Sequence, residues 1–185
     1  MSSLLASSGP SVLDRAGAVL TEACGQRLWA QSDIEIADRV EAALRVRAQA
    51  DAVLLGTVGE VEARGLARAR GASSTRAWLH GAHQLDPAQA SMLVRTARSL
   101  RAGFQETGLA LAAGEVNLGQ VRVIIRSVTD LPGDLDPGLA AAAETLMIGH
   151  RQTFDPMTLA LIGRRLAELV DPEGVPERPR RPKDA

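Results

Sequence analysis

The chain has 185 residues, 45% of them hydrophobic, and a formal net charge of −1 at pH 7, so it can bury the core of one domain. Aromatic residues make up 2% of the chain, Lys183 is the only lysine among 21 basic residues, and Cys24 is the only cysteine. The abundance of alanine, leucine and arginine argues against a β-sandwich or β-barrel, and the lone cysteine argues against a disulfide scaffold.

No stretch of the sequence is apolar enough for a transmembrane helix, and residues 1–10 lack the regions of a signal peptide. We therefore expect a cytoplasmic protein without a membrane partner. Residues 1–10 are predicted to be a disordered lead, and the Pro- and Arg-rich residues 175–185 a disordered tail or linker. Residues 11–174 are predicted to form one helical domain.

The net charge conceals an uneven distribution along the chain. Residues 1–63 carry a net charge of −4, residues 64–101 carry +6, and residues 102–185 carry −3. A basic segment between acidic flanks is the one electrostatic feature that indicates a partner.

In chain order, the apolar pattern first predicts a helix over about residues 11–28. Ser32 and Glu35 then have the spacing of a capping box, in which each side chain bonds the other residue's backbone N–H. The apolar pattern continues over residues 32–63, which predicts one unusually long helix near 32–63. An arginine-rich turn is expected over residues 65–71.

Ser73 or Ser74 can cap a short helix that follows this turn, and Asp86 followed by Pro87 predicts the start of a longer helix. Gly114 is suited to the left-handed conformation that ends a helix. The remaining helices are predicted near residues 104–113, 117–128, 137–147 and 156–169. With about eight helices and no predicted strand, the fold class is all-α, an irregular multi-helix bundle.

Several short motifs follow one another in a fixed order. They are Glu60-x-Glu62, Gly71-Ala-Ser-Ser-Thr-Arg-Ala-Trp78-Leu79, Arg95-x-Ala97-Arg98-x-Leu100, Ala110-Leu111-x-x-Gly114-Glu-Val-Asn-Leu-Gly-Gln120 and Asp171-Pro172-Glu173-Gly174. This ordered set, over roughly residues 14–174, resembles the domain of unknown function 222 family of actinobacteria, also called the 13E12 repeat family.

The resemblance implies a helical domain without assigned chemistry. Members often continue into an HNH endonuclease module, and some are tied to mobile elements. This chain resembles the N-terminal part of such proteins without the nuclease module. We therefore expect a non-catalytic domain that needs no cofactor and is DNA-associated or accessory to an HNH-type endonuclease.

The residues themselves offer no catalytic constellation. His80 and His83 are three positions apart on a predicted helix, but Asp86 is the only nearby carboxylate, so a zinc site would lack ligands. The sequence contains no nucleophile elbow, Walker loop or dinucleotide fingerprint. An enzyme is therefore the least favoured class, and no metal site is predicted.

Residues 73–101 have the outline of a helix-turn-helix, a short helix followed by a turn and a second helix. Arginines at intervals of three lie roughly along one face of the second helix, a pattern that suits contacts with phosphates and guanine edges. In the first turn of that helix, where recognition helices read bases, only Gln89 can do so. The candidate residues for binding double-stranded DNA are Arg76, Gln89, Arg95, Arg98 and Arg101.

A second interpretation stays open, because an arginine stripe is usually a solvated face that pairs with nearby acids. The protein is then a structural or protein-interaction module. In that case the long 32–63 helix packs against a second copy or a partner protein. Trp78 is interpreted as a packing anchor in an aromatic-poor core rather than a ligand-stacking residue.

Overall fold

The structure is a computed structural model that describes residues 11–132, 137–151 and 153–170. Within these residues every regular element is helical, which confirms the predicted all-α class. The α-helices are α1 (Val12–Cys24), α2 (Asp33–Ala63), α3 (Leu66–Ala69), α4 (Thr75–His83), α5 (Pro87–Ala102), α6 (Gln105–Ala113), α7 (Leu118–Thr129), α8 (Pro137–Gly149) and α9 (Pro156–Val170). One turn of 3-10 helix (Leu28–Ala30) lies between α1 and α2.

Helix starts lie where the capping residues predict them. The Ser32 hydroxyl accepts a hydrogen bond from the N–H of Glu35, whose carboxylate accepts one from the N–H of Ser32 at 2.7 Å. The carboxylate of Asp86 accepts hydrogen bonds from two N–H groups of the first turn of α5. Asn117 and Gln120 form a capping box at α7. Because these signals act within one turn, the sequence alone predicts the starts of α2, α5 and α7.

The structure has an additional helix where the sequence predicted only a turn. Leu66–Ala69 form the one-turn helix α3, which follows Gly65 in the left-handed conformation (φ 63°). Ala67 is buried, so contacts with the rest of the fold stabilise this turn. The Asp171-Pro172-Glu173-Gly174 motif, the predicted lead at 1–10 and the predicted tail at 175–185 lie outside the described residues.

The chain divides into two compact units between Glu41 and Ala42, inside α2. In the N-terminal unit the Arg39 guanidinium donates hydrogen bonds to the side-chain oxygen of Gln26 (2.6 Å) and to the carbonyl of Ala23 (2.5 Å). These bonds connect α2 to the end of α1. None of the described residues of this unit is buried.

The second unit contains the main core. Only the second half of α2 contributes to it, because the buried residues of this helix begin at Ala48. Trp78 of α4 is half-buried against the same cluster, which agrees with its interpretation as a packing residue. The buried members of the cluster are Ala48, Leu55, Val58, Leu79, Ala90, Leu93, Val94, Ala97, Ala110, Leu111, Val116 and Val121.

A second cluster joins the last three helices through Ile124, Met147 and Leu159. Here α7 and α9 approach each other closely at Gly163. A Cβ atom added to Gly163 would overlap the Cβ and Oγ of Ser127. The absence of a side chain at position 163 therefore sets the spacing of these two helices.

Two polar side chains connect elements that are distant in the sequence. The Gln120 amide donates to the carbonyls of Arg151 (2.8 Å) and Phe154 (3.0 Å), which joins the start of α7 to the segment before α9. The buried carboxylate of Glu144 on α8 accepts hydrogen bonds from the backbone N–H (2.9 Å) and the hydroxyl (2.7 Å) of Thr107. Glu144 thereby caps the first turn of α6, whose own N-cap residue offers no side-chain hydrogen bond.

Candidate nucleic-acid interface

The predicted pair of helices at 73–101 forms as α4 and α5, which pack against each other. Ser74 caps α4 by accepting a hydrogen bond from the N–H of Ala77 (3.1 Å). The chain leaves α4 through Gln84, which adopts a left-handed conformation (φ 55°), and enters α5 only three residues later. The outline is that of a helix-turn-helix.

Between these helices lies a polar groove of about 320 Å³, which we call the α4–α5 groove. Its walls combine hydroxyl groups, guanidinium groups and one carboxylate. It is lined by Glu62, Ser74, Thr75, Arg76, Ser91, Val94, Arg95 and Arg98. The groove therefore brings together three of the five sequence-predicted residues, Arg76, Arg95 and Arg98.

Glu62, near the end of α2, is the only acid that lines the α4–α5 groove. Hydrogen bonds from the hydroxyl of Thr75 and from the guanidinium of Arg98 lower the pKa of this carboxyl below its usual value. The Nε of Arg98 lies 2.9 Å from a Glu62 carboxylate oxygen. Glu62 is therefore ionised at neutral pH and neutralises the charge of Arg98.

Glu60 lies two positions before Glu62 on α2 and pairs with two further arginines. Its carboxylate accepts hydrogen bonds from Arg101 (2.5 Å) and from Arg64 (2.8 Å). These bonds, with the attraction of both guanidinium charges, lower the pKa of Glu60. Arg101 thus lies beside α2 and outside the α4–α5 groove.

Arg76 on α4 and Arg95 on α5 differ from Arg98 and Arg101, which pair with the carboxylates of α2. Both side chains are exposed, and neither makes an ion pair with any of the described residues. They line the same groove, from opposite helices. Two cationic side chains are therefore available there for an anion from outside the chain.

Gln89 is exposed but lies on another side of α5. It is nine residues before Arg98, which is about two and a half helical turns and places the two residues on opposite sides of the helix. Gln89 and the arginine stripe therefore do not belong to one surface.

A second polar groove, of about 460 Å³, adjoins the first and shares Glu62 and Arg98 with it. It adds Arg64 and Arg68, and the charge of Arg68 also acts on Glu62. Residues 60–101 contain seven arginines against three carboxylates. The region keeps a net charge of +4 after its internal ion pairs are counted.

The two histidines of α4 have structural partners. The Nδ1 of His80 lies 2.8 Å from the carbonyl oxygen of Leu85, and the ring of His83 meets Trp78 edge to face at 4.7 Å. Among the described residues, no group of three or more His, Cys, Asp or Glu side chains could hold a metal ion. In the same part of the chain, no helix is long and apolar enough to cross a membrane.

Sequence reasoning missed the carboxylates that belong to this surface. Glu60 and Glu62 were recognised as a motif, but their partners Arg101 and Arg98 lie 41 and 36 positions away. The signal that could have found them is the matched spacing. Two acids at the end of one helix complement arginines three residues apart on another.

The fold and its grooves define an all-α domain with a basic surface. The chain belongs to the family described as domain of unknown function (DUF222), whose model matches residues 26–184. The match covers most of the chain and begins after α1. No curated protein and no solved structure matches the chain.

Proposed function

We propose that this helical domain binds the phosphate backbone of duplex DNA through the α4–α5 groove, without reading the base sequence. The observation that carries the proposal is the pair Arg76 and Arg95. Both are exposed, both lack an ion pair among the described residues, and both line one groove. Guanidinium groups bind phosphate oxygens in a bidentate geometry, and a DNA backbone offers such oxygens in a closely spaced row.

The groove offers further groups that favour an anion. The hydroxyls of Ser74 and Ser91 line it, and the α4 N-terminus contributes the positive end of its dipole. In protein–DNA complexes, arginine, serine and helix N-termini are the usual partners of phosphate oxygens. Two arginines with two hydroxyls therefore form a set of donors for one or two adjacent phosphates.

The same geometry disfavours readout of bases. Gln89, the one residue in the first turn of α5 able to read a base edge, lies on the side opposite Arg98. Arg98 and Arg101 are held by the carboxylates of α2. Contacts from Arg76 and Arg95 would position the domain on DNA but would carry no sequence information.

Such binding suits an accessory role beside a nuclease. A domain that holds DNA without sequence preference raises the local concentration of DNA at any catalytic module tethered to it. The family resemblance implies HNH-type endonucleases of mobile elements. We propose that this domain serves modules of that class. A role on DNA also fits the cytoplasmic location expected from the sequence.

The test is titration of a fluorescent DNA duplex with the full chain at several salt concentrations. We expect binding at low salt whose logarithm falls linearly with the logarithm of salt concentration. The double substitution Arg76→Ala with Arg95→Ala should lower the affinity and reduce the slope by about two, because two phosphate contacts are lost. A second duplex of unrelated sequence should bind equally well.

The matched control removes the same charge elsewhere. Arg126 on α7 and Arg165 on α9 are exposed and pair with Asp130 and Glu168. Their double substitution by alanine should leave the affinity and slope almost unchanged. Equal losses in both double variants, or no binding of the unmodified chain at about 50 mM salt, would overturn the proposal.

The Glu62→Gln substitution is expected to strengthen DNA binding. It removes the one negative charge that lines the groove and releases Arg98 for a phosphate. A charge removed at about 4 Å in aqueous surroundings changes the affinity about fivefold. The same titration measures the effect, and unchanged or weaker binding by a variant with an unaltered circular dichroism spectrum would contradict it.

A further inference from the structure

We propose that the second polar groove continues the DNA-binding surface, and that Arg68 of α3 binds there a neighbouring phosphate of the strand that Arg76 and Arg95 hold. The inference rests on the proposed function, because it extends the same surface. Arg64, Arg68 and Ser73 line this groove of about 460 Å³ together with the residues that it shares with the α4–α5 groove, and we call it the α3–α4 groove.

The two grooves are continuous with each other. They have four lining residues in common, which form the boundary between them, namely Glu62, Ser74, Thr75 and Arg98. Successive phosphates of one DNA strand follow each other every 3.4 Å or so along the helix axis. A strand that lies in the α4–α5 groove therefore brings further phosphates to the α3–α4 groove within a few nucleotides.

Arg68 is the arginine of the α3–α4 groove that remains available for an anion from outside the chain. The other two arginines there are paired, Arg64 with Glu60 and Arg98 with Glu62. Arg68 is exposed and makes no ion pair with any residue in the described part of the chain. The exposed hydroxyl of Ser73 adds a second donor for a phosphate oxygen.

The backbone around Arg68 is fixed before any ligand binds. Gly65, in the left-handed conformation, turns the chain out of α2, and the next residues form α3. The side chain of Ala67 is buried, and its carbonyl accepts a hydrogen bond from the N–H of Ala72 at 3.0 Å. Because its neighbour is anchored in this way, Arg68 loses little backbone freedom when it binds a phosphate.

The test is the Arg68→Ala substitution in the full chain, measured by titration of the fluorescent duplex at several salt concentrations. Loss of one phosphate contact should reduce the salt slope by about one and lower the affinity about eightfold at 0.1 M salt. Arg68→Lys should keep most of the slope, because an ammonium group also neutralises one phosphate. Combining Arg68→Ala with Arg76→Ala and Arg95→Ala should reduce the slope by about three.

Arg70→Ala is the matched control, because it removes the same charge two positions further along the chain. Arg70 is exposed, but its guanidinium lies 6.0 Å from the centre of the Trp78 ring, and it lines neither groove. The salt slope of this variant should therefore equal that of the unmodified chain. The circular dichroism spectra of all these variants should match the unmodified chain.

The outcomes separate this inference from the proposed function. If the double substitution of Arg76 and Arg95 lowers the slope, but Arg68→Ala has only the effect of Arg70→Ala, the extension into the α3–α4 groove is overturned and the proposed function stands. If Arg68→Ala lowers the slope and the double substitution does not, the proposed function is overturned instead. Loss of slope in Arg68→Lys equal to that in Arg68→Ala would overturn a phosphate contact by this side chain.

Discussion

Substitution of Gly163 by alanine is expected to destabilise the protein, although alanine is the better helix former. The added Cβ would overlap Ser127 of α7, so the last helix must move away from the core around Met147 and Leu159. Overpacking of this kind costs about 1–3 kcal/mol. Chemical denaturation monitored by circular dichroism measures the loss, which corresponds to a lower melting temperature by about 2–4 °C per kcal/mol.

The same substitution at Gly56 is the matched control. Gly56 lies inside α2, and nothing is within 4 Å of the position that its Cβ would take. Gly56→Ala should therefore gain about 0.5–1 kcal/mol from the helix propensity of alanine. The double variant Gly163→Ala with Ser127→Gly should lose less stability than the summed losses of the two single variants, because glycine at position 127 removes the atoms that the new Cβ would overlap. Equal effects at both glycines would show that α7 and α9 are not in close approach.

Replacement of Glu144 by alanine is the second large effect that we expect. The buried carboxylate is the acceptor for both the backbone N–H and the hydroxyl of Thr107, and its loss leaves these donors without a partner. An unpaired buried donor costs about 1–3 kcal/mol, so the free energy of unfolding should fall by about 2–4 kcal/mol. Glu144→Gln keeps a side-chain oxygen and should lose less.

Thr145 provides the control for Glu144, because it is the next residue on α8 and also bonds to α6. Its hydroxyl donates to Glu106 at 2.9 Å, but this bond is exposed to solvent. Thr145→Ala should therefore change the free energy of unfolding by less than about 0.5 kcal/mol. If Glu144→Ala were as mild as Thr145→Ala, the cap that α8 provides for α6 would contribute nothing to stability.

The sequence predicts those parts of the fold that depend on neighbours along the chain. Ser32 with Glu35, Asp86 with Pro87, and Asn117 with Gln120 act within one turn, so the helices begin where these residues predict. The one-turn helix α3 was missed, because it depends on the burial of Ala67 and on contacts with α4, which a local pattern does not encode.

Periodicity alone does not reveal which half of α2 meets the core. The apolar pattern is the same along the whole helix, yet burial begins only at Ala48, and Ile34 and Val40 stay exposed. A stripe of apolar residues predicts that a helix packs against something, but its partner is decided by the rest of the fold.

For the candidate interface, the sequence predicted the arginines but not which of them pair with the carboxylates of α2. The spacing along α5 groups Arg95, Arg98 and Arg101 together. In the structure, however, Arg98 and Arg101 form ion pairs with the carboxylates of α2. Arg95 instead shares a groove with Arg76 of α4. Such pairings depend on contacts between segments about 40 positions apart, which local patterns do not encode.

The contact of Glu62 with Arg98 and Thr75 also constrains how related sequences can vary. A change at position 62 alone leaves an arginine without its counter-charge, and a change at position 98 alone leaves an ionised carboxylate beside α4. Exchange of both charges, or loss of both, keeps the local balance. We therefore expect positions 62 and 98 to vary together among related sequences, so that α2 and α5 change as a pair rather than one motif at a time.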